Sequence, residues 1–315
     1  MKKFFMMLGL VLMTSVAMAK APPRITLTKD NTLVMNDYFD GETVAKVEQK
    51  AKELDAKIPQ GDPLYLVIDS GGGSIEAGIE LIENLNQLNR PVRTITIFSA
   101  SMGFQTVQGV KGGRLVLENG TLMSHKARGF FYGEFPGQLD SRYAHYLKRV
   151  QRLDKKAVER TKGKHTDASY AEIIRNEMWC DGADCVKAGF ADLVVTASCD
   201  QSMKGTYNRT ADRFLYMGHT IEIIETMSIC PLITSPLNWN IIVDGEPLFS
   251  NNVDSLMEPK KVPAKNETSS YLYTSTYNDN VIKSLGIETV ENIKRLVNEK
   301  MTNTNNYSKR TIKYY

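Results

Sequence analysis

Ser101 and His125 are separated by 24 positions and stand at the two ends of "SMGFQTVQGVKGGRLVLENGTLMSH". A serine hydroxyl is barely ionised at neutral pH, so it attacks a carbonyl only when a base removes its proton. A histidine is the usual base, and a carboxylate behind the imidazole fixes its tautomer and stabilises the imidazolium. Taken singly, Ser101 is an ordinary helix N-cap and His125 an ordinary surface or core histidine. What raises the pair above that reading is where the surrounding sequence places the two residues.

"VRTITIFS" (92–99) is a strand pattern, and "SASMG" opens a helix directly after it. A hydroxyl there lies near a helix N-terminus, where the dipole favours developing negative charge. "PLYLVI" (63–68) is a continuous apolar run suited to a strand buried on both faces. It is followed by "DSGGGS" and a helical stretch with Ile75, Ile79, Ile82 and Leu85 at helical spacing. Glycine-rich strand ends in a parallel sheet are where ligands gather, since backbone N–H groups there point at the bound group. A phosphate loop is the alternative, but no Gly-Lys-Ser/Thr follows the glycines.

The other elements fit the same plan. "RITLTKDNTLVMN" alternates around a turn signal at Asp30-Asn31 and reads as an early hairpin. Val44, Val47, Ala51 and Leu54 mark a helix over 41–57, "RLVL" and "TLMS" read as two strands, and 138–160 reads as a long helix. That helix has Leu139, Tyr143, Leu147, Val150 and Leu153 inward. "MWCDGADCVKAGFADLVV" reads as a helix stopped by Gly189 and then a strand. Strand–helix alternation of this kind predicts an α/β chain with a largely parallel sheet.

Beyond Cys199 the pattern changes. "FLYMGHTIEIIETMSICPLI" and "WNIIVDGEPLF" read as strands with turns, 251–280 as polar loop and "ETVENIKRLVNEKM" as an amphipathic helix. The N-terminus is different again. "MKKFFMMLGLVLMTSVAMA" has a basic start, a short apolar core and an Ala17-Met18-Ala19 ending, which predicts a signal peptide cleaved before Lys20. The expected division is therefore 1–19 signal peptide, 20–198 catalytic domain and 199–315 C-terminal extension, with a periplasmic or secreted location.

The 315 residues are 42 % apolar and 24 % charged with a net charge of +3, an ordinary globular balance that argues against nucleic acid or an anionic membrane as partner. Four cysteines, Cys180, Cys185, Cys199 and Cys230, favour disulfides in an exported chain. Three connectivities exist, and proximity favours Cys180–Cys185 with Cys199–Cys230. No tight Cys-x-x-Cys or histidine cluster suggests zinc, and neither metal nor cofactor is expected. His145, His165 and His219 read as surface or packing residues.

Together, "DSGGGSIEAG", "ASMG", "NGTLMSH" and "EMWCDGADCVKAGFADLV" resemble the proteolytic subunit of the Clp protease family over about residues 25–198. The resemblance implies a ClpP/crotonase-like fold of repeated β-β-α units with a protruding handle helix at 138–160. It implies Ser101 as nucleophile, His125 as base and Glu177 as orienting acid, with Asp181 and Asp184 as alternatives and a bare Ser-His dyad still open. Backbone N–H groups of Gly72 and Met102 correspond to the oxyanion hole. Gly73, Ser74, Gly129 and Phe130 are expected on the substrate side, where "KARGFFYGEFPGQ" offers an edge for a peptide to add as a strand.

The chain departs from the family in lacking a proline in "SGGGS", in its signal sequence and in residues 200–315. An exported chain meets no ATP, so no ATPase partner is expected. The reading is an exported, ATP-independent serine endopeptidase acting on peptides or proteins, with a homo-oligomer open. Its rivals are a non-catalytic binding or assembly protein, a signal-peptide-peptidase-like Ser/Lys enzyme using Lys111, and an acyl-CoA enzyme of the crotonase fold.

Overall fold

The computed structural model describes residues 21–57, 62–248, and 289, 291–293 and 295–297. The signal sequence, the polar stretch 251–280 and the C-terminal tail lie outside the described residues. The element order is β1 (Arg24–Leu27), β2 (Thr32–Met35), α1 (Gly41–Lys57), β3 (Leu64–Ser70), α2 (Ile75–Leu85), β4 (Val92–Ala100), α3 (Met102–Gly109) and β5 (Arg114–Ser124). Next come α4 (Gly137–Arg160), α5 (Asp167–Ile173), β6 (Met178–Asp181), α6 (Gly182–Ala188) and β7 (Leu193–Cys199). The extension adds β8 (Thr206–Tyr216), β9 (His219–Ser228), β10 (Asn238–Val243) and β11 (Glu246–Pro247).

The first sheet runs β1-β7-β5-β4-β3-β2, all parallel, with β6 added antiparallel to the far half of β5. Its central strands are nearly continuous apolar runs because both faces are covered. One face carries Leu66, Ile68, Val116 and Leu122 against α1, α2 and α3, joined by Phe104, Tyr170 and Phe190. The other packs Leu27, Val67, Ile95, Leu115 and Val195 together.

The hairpin expected at 24–35 does not form. β1 pairs with β7 and β2 with β3, at opposite edges of the sheet. Residues 28–31 do turn, with the Asn31 N–H donating to the Thr28 carbonyl at 3.3 Å. Five residue steps span at most about 18 Å, so the sheet must curl until its two edges approach each other. "RLVL" and "TLMS" also differ from expectation: they are one strand, β5, bent where its pairing with β4 shifts register between Thr96 and Phe98. β6 was hidden inside a helix-like text.

The long helix is present, but its apolar stripe is only partly covered. Tyr143 is 57 % and Leu147 40 % exposed, and Ala157 is its one fully buried residue. The N-terminal half of α4 stands away from the core, and only the last turns dock, through Leu153, Ala157 and Val158. Gly189 ends α6 in the left-handed conformation, φ 85°.

Two polar anchors lock the layers. Arg114 is 2 % exposed, and its guanidinium reaches Asp192 at 2.7 Å, Gln108 at 2.7 Å and the Gly189 and Arg160 carbonyls. A buried guanidinium is tolerated only when its donors are matched in this way. Arg90 does the same with the Leu54, Asp62 and Pro63 carbonyls.

The antiparallel sheet β11-β10-β9-β8 has its own core of Ile221, Ile223, Ile241 and Val243, closed by Ile293 and Val297. Cys199–Cys230 ties this sheet to the end of β7, and Cys180–Cys185 ties β6 to α6. Among the described residues, no helix is long and apolar enough to cross a membrane.

Candidate active site

Ser101 sits where β4 turns into α3. Its backbone has φ 54° and ψ −115°, a conformation that costs an L-residue of order 1–3 kcal/mol. The turn persists because both sides of it are held. The Ser101 N–H donates to the Met123 carbonyl of β5 at 3.0 Å, and its carbonyl accepts from Gln105 at 3.1 Å. Strain of this kind lifts a side chain clear of a sheet's end and presents its hydroxyl. As the residue before α3, Ser101 makes no side-chain cap, so the hydroxyl is left for other work.

His125 follows the last residue of β5, the strand beside β4. Parallel neighbours that end together bring the two side chains to one rim. The His125 Nε2 lies 2.8 Å from Ser101 Oγ. Burial lowers the His125 pKa below its usual 6.5, Arg128 lowers it further by repulsion, and Glu177 and the Lys126 backbone act the other way. The ring is therefore neutral at pH 7, the form that can take a proton.

The other ring nitrogen, Nδ1, is buried without a hydrogen-bond partner. Of the three carboxylates considered behind it, Glu177 is the one whose charge acts on the imidazole. Glu177 lies between a short 3-10 turn and β6, with φ 69°. Its oxygens are held at 3.6 Å from Arg128 and by the Trp179 indole N–H at 3.3 Å. Asp181 accepts instead from the Thr121 hydroxyl at 2.6 Å, and Asp184 is exposed in the first turn of α6. Lys111 is exposed at the opposite end of α3 from Ser101.

Gly72 is pressed against the serine turn. A Cβ at that position would lie 2.7 Å from Ser101 Cβ and 2.9 Å from the Met102 nitrogen, and φ is 104°. Only glycine satisfies both conditions. Its N–H donates to the buried Ser70 hydroxyl at 3.1 Å, and Ser70 in turn donates to the Asp37 carbonyl at 2.6 Å. Met102 heads α3, where first-turn N–H groups lack helical partners. The Gly72 turn and the first residue of α3 thus pack directly against the Ser101 backbone.

Gly73 and Ser74 have other attachments. Gly73 forms a bridge with Phe39, the Ser74 N–H donates to the Phe39 carbonyl, and the Ser74 hydroxyl caps α2 through Ala77. Gly129 and Phe130 lie on the segment after His125, where Phe130 is 91 % exposed. Phe131 points the other way, onto Tyr143 and Tyr146 of α4. Among the described residues, 126–133 pair with no strand.

Two further polar contacts that the sequence does not show join the elements behind the pair. Gln105, one turn along α3 from Ser101, donates to Asp154 of α4 at 3.2 Å. The Tyr170 hydroxyl bonds Ser124, the residue before His125, at 2.8 Å. His219 also has a partner that was not foreseen, Asp244 at 2.7 Å, while His165 stacks on Phe190.

A serine on a strained strand-to-helix turn, with a neutral imidazole on its hydroxyl, is an arrangement in which the ring can take the hydroxyl proton. A comparison with protein-family models gives the chain its family. The Clp protease model matches residues 22–198, more than half of the chain, and the chain belongs to the Clp protease family, a family of peptidases.

Proposed function

We propose that this protein is an exported, ATP-independent serine endopeptidase, with residues 20–198 as the peptidase domain and 199–315 as an appended module. Ser101 Oγ attacks the peptide carbonyl while His125 Nε2 takes its proton. The tetrahedral oxyanion is received by the amides of Gly72 and Met102, each worth about 3 kcal/mol in such a site. For Gly72 to serve, its N–H must turn from Ser70 to the substrate. The imidazolium then gives the proton to the leaving amine, and water, deprotonated by His125, hydrolyses the acyl-enzyme.

Glu177 is the orienting acid in this reading, completing the triad when its carboxylate moves from Arg128 to Nδ1. Gly129 and Phe130 belong to the unpaired segment that takes the peptide as an added strand. Gly73 and Ser74 support the glycine turn from behind through Phe39 and α2.

The observation that carries the proposal is the 2.8 Å Nε2–Oγ contact on a strained serine turn. Two disulfides are compatible with an oxidising compartment and support export. The test is hydrolysis of casein and of fluorogenic peptides by the mature chain without ATP. Cleavage by wild-type protein that disappears in Ser101→Ala supports the reading, whereas equal cleavage by both proteins contradicts it. A purely binding role predicts no cleavage, with partner capture unaffected by Ser101→Ala.

A further inference from the structure

We infer that the projecting end of α4, with the segment that leads into it, is a peripheral membrane contact. Its exposed aromatic side chains enter the headgroup layer of an acidic phospholipid bilayer, and the lysines and arginines around them face the lipid phosphates. Nothing in this contact depends on Ser101 or His125, so it stands apart from the peptidase reading.

The aromatic residues form one local unit. Phe131 packs against Tyr143 and Tyr146, with ring centroids 6.2 and 5.2 Å apart. Arg142 donates to the Tyr132 carbonyl, and the Glu134 N–H donates to Gln138 Oε1 at 3.3 Å. These contacts lay residues 131–134 along the first turns of α4. Phe131 and Tyr146 are half-buried by them, and their neighbours face out. Phe130 is 91 %, Tyr132 80 % and Phe135 82 % exposed, beside Tyr143 and Leu147. Only the last turns of α4 dock on the core, through Leu153, Ala157 and Val158, so this end of the helix stands out from the body. Five of the thirteen exposed large apolar side chains among the described residues fall between 130 and 147. Apolar side chains scattered singly over a surface need no explanation, but a contiguous patch marks an interaction site.

The charge of the patch identifies the partner. Between 126 and 152 there are six Lys or Arg and two Asp or Glu, a local excess that the net charge of +3 over the whole chain conceals. Lys126, Arg128, Arg142, Lys148 and Arg152 are all exposed. Amphipathic rings settle at the level of the lipid headgroups. Cations beside them are drawn to a negative lipid surface, and the two effects add. A second copy of the chain is a poorer match, because it would bring the same cations against these and lose affinity.

The experiment is flotation of the mature protein with vesicles of phosphatidylcholine, alone or with phosphatidylglycerol added, at low and at high salt. Wild-type protein should bind the acidic vesicles about tenfold or more tightly than the neutral ones, and salt should weaken that binding. Tyr132→Ser combined with Phe135→Ser should lower binding to acidic vesicles about tenfold. Lys148→Glu combined with Arg152→Glu should lower it about tenfold or more, since each cation near such a surface is worth about fivefold. Leu215→Ser with Met217→Ser removes two equally exposed side chains from the β8–β9 hairpin and should leave binding unchanged. Circular dichroism confirms that each variant is folded. Wild-type protein that floats with neither vesicle or equally with both overturns the proposal, and so does an equal loss in the Leu215 and Met217 variant. It is also overturned if wild type fails to float and gel filtration shows an oligomer that the Tyr132 and Phe135 variant breaks, because the patch is then an interface between copies. None of these failures alters cleavage, and an absent Ser101 adduct would leave flotation untouched.

Discussion

The Arg128 guanidinium lies 3.6 Å from the Glu177 carboxylate, and the two charges act on His125 in opposite directions. Burial and Arg128 hold the imidazole pKa below 6.5, while Glu177 raises it. The base works only when neutral, so activity should be present above that pKa and fall as pH drops through it. Removing the cation in Arg128→Gln should move this acid limb to higher pH. Glu177→Gln should move it lower and reduce kcat by tenfold to about 10⁴-fold, as loss of an orienting acid does in other triads. Profiles of kcat/KM against pH check both, and an acid limb that neither variant moves would remove Glu177 and Arg128 from the account.

Gly72 touches the serine turn so closely that one methyl group must displace it. A Cβ there meets Ser101 Cβ at 2.7 Å and the Ala100 carbonyl at 2.8 Å, and it forces an L-residue to φ 104°. Gly72→Ala should lower kcat by about 10² or more, the scale of losing one oxyanion donor. KM should change little. Circular dichroism distinguishes this from unfolding, and a fully active Gly72→Ala contradicts the assigned hole.

The Asp192 carboxylate balances a guanidinium that is 2 % exposed. Its pKa is lowered by the Arg114 hydrogen bonds and charge and by Arg160, although burial alone would raise it. Asp192→Ala leaves Arg114 buried and unpaired, a change that costs about 3 kcal/mol in comparable sites. Urea denaturation should show the loss, and a midpoint within error of wild type would disprove the anchor.

Cys199–Cys230 closes 31 residues and joins the parallel sheet to the appended one. By loop-closure entropy such a bridge is worth about 3–4 kcal/mol. Thermal unfolding with and without a thiol reductant should show a lower midpoint on reduction. A double Cys199→Ser, Cys230→Ser variant should begin from a lowered midpoint and respond to reductant only through the remaining Cys180–Cys185 bridge.

Much of this arrangement is written in local sequence. "SASMG" and "NGTLMSH" end neighbouring strands, so the hydroxyl and the imidazole meet once those strands pair in parallel. Strand pattern does not name a partner, however. The alternation over 24–35 is that of two strands, but their hydrogen bonds go to β7 and β3. Periodicity marks an apolar helix face without saying what covers it, which is why Tyr143 and Leu147 are exposed on α4. Asp154, beside Leu153, has no signature in the local sequence because its partner, Gln105, lies 49 residues earlier. The pairing of Glu177 with Arg128 was equally unreadable, since it is a choice of side-chain direction on a residue with positive φ.

The most direct measurement is mass spectrometry of the mature protein after treatment with a fluorophosphonate. The account predicts one adduct, on the peptide containing Ser101, formed slowly or not at all in His125→Ala. A folded wild-type protein that carries no adduct at Ser101, or is labelled equally fast without His125, would contradict it.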